Sequence, residues 1–291
     1  MHISLQKDIG ARTMSDTAEP EDIHNRGLAF DRRRMLTLMG IAGTGTALAA
    51  CDLFGPPRHS EPNRTATAAD GSTCIKNPAE TSGPFPGDGS NARNGSTVNV
   101  LPQSGIMRTD IRPSFGGMKP VAAGTQLDLT IALVDVSKGC APLAGHAIYV
   151  WHCDVEGKYS LYDYEDRNYL RGVAITDPRG QATFKTIFPG CYAGRWPHIH
   201  FEVFDGREKT VSGKDSLLIS QFAMPGDLAS ALYASNKAYA ASVAHLAKIS
   251  VKKDDVFGDN TAEQIATQTL SITGDATDRF KASVTVAIAS S

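Results

Sequence analysis

Four side chains that could do chemistry lie within nine positions of the stretch PGCYAGRWPHIHFEV, residues 189–203: Tyr192, Arg195, His198 and His200. If this stretch ends in a β-strand, alternate side chains share a face, and both imidazoles point to the same side. Two imidazoles placed in this way can bind one metal ion. A bare His-x-His pair is more often two half-buried histidines bonded to the backbone, so the neighbouring residues have to decide between the two interpretations.

The neighbours include two tyrosines on predicted turns. A Pro-Gly pair at 189–190 precedes Tyr192 and Gly194 follows it, which indicates a loop that leads into the histidine strand. A second turn of this kind lies in VWHCDVEGKYSLYD, residues 150–163, and carries Tyr159. Taken alone, either tyrosine is more typical of a rim or core aromatic than of a ligand.

The elements that must position these side chains are mostly strands. Period-two alternation of apolar residues predicts strands at 126–136, 146–153, 182–188, 198–204, 216–224 and 282–289. On the strand at 198–204, His198, His200 and Glu202 would share one face, and the intervening apolar residues would face a core. A helical pattern covers about 226–249. Short strands between Gly, Pro and Asp turns predict an all-β-dominated fold, a β-sandwich with a helix and irregular loops in its C-terminal part.

Composition excludes several classes of protein. The chain has 291 residues, 41% of them hydrophobic, and a formal net charge of −2, values that are ordinary for a globular protein with a core. The predicted body has no basic run, so we expect no nucleic-acid partner. No apolar run of about 20 residues is available to span a bilayer.

The N-terminal region is expected to lie outside the fold. The segment DRRRMLTLMGIAGTGTALAAC, residues 31–51, places arginines before a weakly apolar run, which is similar to a twin-arginine export signal ending in a lipobox. We therefore predict a signal peptide at 1–50, a flexible tether at 51–77 and a catalytic domain at 78–291. Cys51 would carry a lipid and anchor the protein to the outer face of the cytoplasmic membrane. Cleavage that leaves Cys51 unmodified is the alternative.

Four further cysteines remain in the exported part: Cys74, Cys140, Cys153 and Cys191. An even number outside the cytoplasm permits disulfides, and the absence of CxxC spacing does not favour a thiolate zinc site. The sequence leaves the connectivity open.

Three blocks, in order, resemble the intradiol ring-cleavage dioxygenases, the family of protocatechuate and catechol dioxygenases. They are ETSGPFPGDG at 80–89, VWHCDVEGKYSLYD at 150–163 and YLRGVAITDPRGQATFKTIFPGCYAGRWPHIHFEVF at 169–204. The resemblance runs from about residue 78 to near the C-terminus and is weaker after residue 204.

The resemblance implies that Tyr159, Tyr192, His198 and His200 bind a non-haem Fe(III). Ferric iron is a hard ion that prefers anionic oxygen, and two phenolates with a hydroxide would balance its charge. The implied reaction is cleavage of a catechol by O2 to a muconate-type diacid, in which both oxygen atoms enter the product. Tyr192 would leave the metal and take a catechol proton, and Arg195 would stabilise charge that develops on the substrate.

The sequence departs from the family at Phe85, where a tyrosine is common, and it shows no arginine assigned to a substrate carboxylate. Arg171 is interpreted as structural or supporting. Two other functions remain open. One is a non-catalytic β-sandwich binding module, and the other is a zinc or Fe(II) enzyme that uses His198, His200 and Glu202. The particular catechol and the oligomeric state are not predicted.

Overall fold

The structure is a computed structural model that describes residues 64–69, 71 and 73–289. The predicted signal peptide and Cys51 lie outside the described residues. Within the described part of the chain, no helix is both long enough and apolar enough to cross a membrane.

Strands dominate the described chain. Two hairpins come first, formed by β1 (Thr65–Thr67) with β2 (Thr73–Ile75) and by β3 (Asp88–Arg93) with β4 (Ser96–Asn99). The remaining strands are β5 (Gln126–Asp135), β6 (Ala141–Pro142), β7 (Ala147–Trp151), β8 (Arg171–Ile175), β9 (Gln181–Ile187), β10 (His198–Phe204), β11 (Leu218–Ala223), β12 (Ser271–Gly274) and β13 (Phe280–Ile288). The α-helices of the described chain are short: α1 (Gly226–Ser235), α2 (Ala240–Leu246) and α3 (Ala262–Gln268). The predicted fold class is confirmed.

The larger strands form two sheets. The first sheet is antiparallel, with the order β11-β10-β7-β8. The second has the order β12-β13-β5, and both β6 and β9 pair with β5. Strands β13 and β5 run parallel, although they come from distant parts of the chain.

The main core lies between the two sheets. The alternation that predicted β5 is the observed pattern, because every second residue of this strand is buried. The buried residues that the two sheets contribute include Leu127, Leu129, Ile131, Leu133, Ile148, Val150, Phe184, Ile199, Phe201, Val203 and Phe222. Each fully buried side chain of this size contributes about 1.5–3 kcal/mol relative to exposure, so this layer fixes the face of each strand.

The first sheet is buried on both faces. All five residues of β7 and all seven of β10 are buried. A second apolar cluster covers the outer face of β7, where Tyr149 and Trp151 of this strand pack with residues from the preceding loops and from the segment after β7: Val100, Leu101, Ile106, Phe115 and Tyr159. A strand that is covered on both sides can present polar groups to an enclosed site.

The N-terminal hairpin lies within the segment for which the sequence predicts a flexible tether. Its strands β1 and β2 fall between residues 51 and 77, and a disulfide joins Cys74 to Cys140, 66 residues away. In the loop-entropy model a bridge over that separation stabilises the fold by about 4 kcal/mol. This cross-link and the strand pairing hold a polar segment that could not bury enough apolar surface to fold alone. Cys153 and Cys191 are buried free thiols.

The single helical pattern at 226–249 forms two helices rather than one. The chain leaves the helical conformation at Asn236, whose φ is −118° and whose side chain accepts the N–H of Ala238. This asparagine therefore starts a short 3-10 turn, Lys237–Tyr239, and α2 follows that turn. Helix α1 packs on the main core through Leu232 and Tyr233, α2 packs on it through the partly buried Leu246, and Tyr239, just before α2, is buried in the same core.

Candidate metal centre

Strand β10 places its two histidines on the outer face of the first sheet. His200 lies opposite Trp151 of β7 and Gln221 of β11, while Ile199 and Phe201 point into the core. The Trp151 ring stacks on the His200 imidazole, with centroids 4.8 Å apart and planes within 7°. The predicted orientation of the strand is therefore the observed one, and an aromatic neighbour fixes one imidazole plane.

The two tyrosines come from two loops that touch each other. Tyr159 lies in the loop after β7, and Tyr192 lies in the loop after β9. Gly157 has a φ of +80°, and a Cβ there would lie 2.9 Å from the Cβ of Tyr192. The N–H of Gly190 donates to the carbonyl of Asp154 at 3.0 Å. Glycine is required at this contact because a side chain would push the loops apart.

All four predicted ligand side chains converge on one point. The hydroxyl oxygens of Tyr159 and Tyr192 each lie 3.4 Å from Nε2 of His198, and the Nε2 atoms of His198 and His200 are 3.0 Å apart. Tyr192 is half-buried, whereas the other three side chains are at most 2% exposed. Two phenols and two imidazoles thus surround one enclosed centre.

The protonation of the histidines fits a bound cation. Nδ1 of His198 lies 2.5 Å from the carbonyl oxygen of Trp196, which can only accept, so Nδ1 carries the proton and Nε2 offers its lone pair. Among the described residues no group bonds to Nδ1 of His200. Burial lowers the pKa of His198 to about 3 and that of His200 well below its ordinary value, so both rings are neutral. Neutral imidazoles are the form that binds a metal.

The phenols also need a cation to ionise. Burial raises the pKa of Tyr159 well above its ordinary value and raises that of Tyr192 to about 12. Without a metal both phenols stay protonated at neutral pH, and a highly charged ion would reverse this preference. The donor set of two oxygens and two nitrogens therefore suits a hard trivalent ion.

Arg195 lies beside this centre in a buried ion pair. Its Nε donates to Asp254 at 2.9 Å and its Nη2 donates to Gln221 at 2.7 Å, and the side chain is 14% exposed. Burial alone would lower the pKa of the guanidinium, but Tyr192 and Asp254 raise it above its ordinary value. Arg195 is therefore a fixed positive charge next to the tyrosine.

The structure adds supporting residues that sequence reasoning missed. Asp254 also accepts the N–H of Trp196 at 2.6 Å, and Gln221 donates to the carbonyl of Thr81 at 2.9 Å. Alternation placed Gln221 on a strand, but its position opposite His200 depends on sheet register, which one sequence does not show. Asp254 lies in no motif, and nothing in the sequence pointed to it.

Phe85 and Arg171 have separate roles. The Phe85 ring lies 5.0 Å from that of Tyr159 and gives the site an apolar edge. Arg171 is 1% exposed, and it donates to the carbonyls of Phe85, Pro86 and Ser160. It ties the opening segment to the Tyr159 loop, in agreement with its predicted structural role.

Glu202 does not join the histidines. Within the described part of the chain, no group of three His, Cys, Asp or Glu side chains is arranged to hold a metal. Burial and the neighbouring Asp88 raise the pKa of Glu202 well above its ordinary value. A metal site built from His198, His200 and Glu202 is therefore not what the fold assembles.

The known proteins that this chain resembles in sequence or in fold are dioxygenases. Residues 118–254 match the family Dioxygenase_C, described as "Dioxygenase". The intradiol ring-cleavage dioxygenase from Tetranychus urticae is similar in structure, with a TM-score of 0.55 and 24% identity over 74% of this chain and 95% of that chain. The dioxygenase Tetur07g02040 gives a TM-score of 0.54 and 22% identity over the same shares. The 3-chlorocatechol 1,2-dioxygenase from Rhodococcus opacus 1CP gives a TM-score of 0.46 and 18% identity, over 80% of this chain and 76% of that chain. No curated protein matched the chain.

Residues 118–254 are thus similar to the dioxygenase family. The fold is that of the intradiol ring-cleavage dioxygenases, and the predicted resemblance is confirmed.

Proposed function

We propose that the protein is a non-haem Fe(III)-dependent dioxygenase that cleaves a catechol-type ring between its two hydroxylated carbons, with O2, to a muconate-type diacid. The convergence of two phenols and two imidazoles carries this proposal. The two tyrosine hydroxyl oxygens and Nε2 of His200 all lie 3.0–3.4 Å from the fourth donor atom, Nε2 of His198. Tyr159, Tyr192, His198 and His200 would hold the iron. When bound, the iron supplies an electron acceptor that makes the catecholate reactive toward dioxygen.

The residues of this chain have distinct tasks in that reaction. Tyr192 is the more exposed phenol, so it is the ligand placed to turn away and accept a proton from the incoming diol. Arg195 is held by Asp254 and Gln221, and its charge would stabilise negative charge on the substrate oxygens. The apolar side chain of Phe85 beside Tyr159 favours a substrate whose ring edge is also apolar.

The geometry does not favour the rival functions. A binding module would have no need for four donor atoms pointing at one buried centre, since polar groups are costly to bury. A two-histidine enzyme with Glu202 needs a carboxylate beside both imidazoles, which the described residues do not provide.

We also propose that the enzyme is exported and anchored by a lipid on Cys51, on the outer side of the cytoplasmic membrane. The arginine-led segment at 31–51 supports this, and the disulfide between Cys74 and Cys140 is typical of an oxidising compartment. Cys51→Ala should release the protein from the membrane fraction, and an unchanged distribution would contradict the anchor.

The reaction itself is tested with a panel of catechols. Oxygen uptake and the formation of a diacid, followed by mass spectrometry with labelled O2, should show both oxygen atoms in the product. If the iron-loaded protein consumes no oxygen with any simple or substituted catechol, the proposal fails.

A further inference from the structure

The C-terminal helices hold the segment that leads to Tyr192. The hydroxyl of Tyr239 donates to the carbonyl of Phe188 at 2.9 Å, and the hydroxyl of Tyr233 donates to the carbonyl of Pro189 at 2.8 Å. Both tyrosines are at most 2% exposed. One residue of α1 and one of the turn just before α2 therefore bind the carbonyls of two consecutive residues in the segment that leads to Tyr192.

Helix α2 binds both polar groups of the residue before Tyr192. The N–H of Cys191 donates to Oγ of Ser242 at 2.8 Å, and Nδ1 of His245 lies 2.8 Å from the Cys191 carbonyl. A carbonyl can only accept, so Nδ1 of His245 is the donor. The Cys191 backbone is thus held from both sides by one helix.

Ser242 reaches the second ligand loop as well. Its hydroxyl donates to the carbonyl of Val155 at 3.3 Å, and the side chain is completely buried. Val155 lies in the loop that carries Tyr159. One hydroxyl therefore joins the two loops that supply the two phenols.

The loops are already in close contact at this point. A Cβ at Gly190 would lie 2.6 Å from the carbonyl oxygen of Asp154 and 2.7 Å from that of Val155. The two backbones are in contact here, so a shift of one loop moves the other. A side chain that bonds both loops therefore affects the distance between them. Water cannot take over the bridge easily, since Cys191 and Ser242 are both buried.

We propose that Ser242 and His245 are positioning residues that set the distance of Tyr192 from Tyr159, and thereby the affinity of the site for Fe(III). The proposal rests on the proposed function, since it concerns the same two phenols. Residues that orient metal ligands typically change metal affinity by about 10- to 100-fold when they are replaced, and we expect Ser242→Ala to fall in this range.

The first experiment needs no metal. In metal-free protein, hydrogen exchange followed by mass spectrometry should be faster in the peptides that cover residues 154–160 and 189–197 of Ser242→Ala than in the wild type. Ser242→Thr keeps the hydroxyl and should restore slow exchange. Ser220→Ala removes another fully buried hydroxyl, which contacts Gln268 instead of a ligand loop, and serves as the matched control.

The second experiment measures Fe(III) affinity and the visible phenolate-to-iron band. Ser242→Ala should bind iron about 10- to 100-fold more weakly and shift the band, whereas Ser220→Ala should keep both. If Ser242→Ala does not fold, two variants of His245 test the proposal instead. His245→Leu should weaken iron binding, and His245→Asn, which keeps a donor near Nδ1, should recover it.

The outcomes separate the two proposals. A normal wild-type band together with unchanged exchange, iron affinity and band position in Ser242→Ala and His245→Leu overturns the positioning role alone. A wild-type protein that takes up iron without any band overturns the proposed function, and with it the claim that these residues position metal ligands.

Discussion

Replacement of Asp254 by asparagine tests whether the arginine beside the site depends on a buried carboxylate. The Asp254 side chain is fully buried and makes four contacts: Oδ2 accepts from Arg195 and Trp196, and Oδ1 accepts from Val256 and Phe257 at 2.9 and 3.1 Å. An asparagine of the same shape keeps one oxygen. Its amide would then face N–H donors and leave Arg195 without a counter-charge.

The expected cost follows from this geometry. Loss of one partner from a buried ion pair destabilises a protein by about 3–5 kcal/mol, because the remaining charge stays buried. Arg195 is 14% exposed, so solvent relieves little of this cost. We therefore expect Asp254→Asn to lower the free energy of unfolding by about 3 kcal/mol or more at pH 7, and to lower kcat about 10- to 100-fold through the displaced guanidinium.

The loss should depend on pH. Burial opposes ionisation of Asp254, but Arg195 and the Trp196 N–H hold its pKa below the ordinary value. Since the folded pKa is the lower one, the stabilisation is complete above the ordinary aspartate pKa of about 4 and is lost as the pH falls through the folded value. The urea midpoints of the wild type and the variant should therefore converge below about pH 4.

Urea unfolding and steady-state kinetics provide the assay, with Asp166→Asn as the control. Asp166 pairs with Arg167 at 2.7 Å on the surface, where its side chain is 64% exposed, and its loss should not change the unfolding midpoint measurably. An Asp254→Asn variant as stable and as active as the control would refute the role assigned to this ion pair.

Three further predictions concern the ligands, the loop contact and the disulfide. Tyr159→Phe keeps the buried ring, so the unfolding midpoint should stay near that of the wild type while Fe(III) binding and turnover are lost; retained iron would contradict the ligand role. Gly157→Ala puts a β-carbon at a φ of +80° and 2.9 Å from Tyr192, so we expect about 1–2 kcal/mol less stability and a shifted visible band, which an unchanged spectrum would rule out. Cys74→Ser should lower the free energy of unfolding by about 2–5 kcal/mol, because it removes the disulfide to Cys140. The visible band should not change, since Cys74 and Cys140 lie in a separate cluster with Val136. A variant as stable as the wild type under oxidising conditions would contradict the bridge.

The strands were predictable from sequence where one face is buried and the other is not. The alternation over β5 appears in the structure as strict alternation of burial, and β10 begins and ends at the predicted residues. Strand β8 was missed because four of its five residues are buried and no alternation marks it. The break between α1 and α2 was missed because it depends on one asparagine whose side chain starts a new turn.

The part of the candidate site that is formed by residues close together in sequence was predictable. His198, His200 and Tyr192 lie within one short stretch, and the fold adds Tyr159 to them as the resemblance implied. The partners of Arg195 could not be found in this way, since Gln221 and Asp254 are 26 and 59 residues away in sequence. Their contacts depend on strand register and on the path of the chain after α2.

The measurement that tests the central claim most directly is the visible absorption spectrum of the purified, iron-loaded protein before and after anaerobic addition of a catechol. The proposed site predicts a broad phenolate-to-Fe(III) charge-transfer band that shifts when the diol binds. An iron-replete protein that is colourless would contradict it, because Tyr159 and Tyr192 could not then be ligands of a ferric ion.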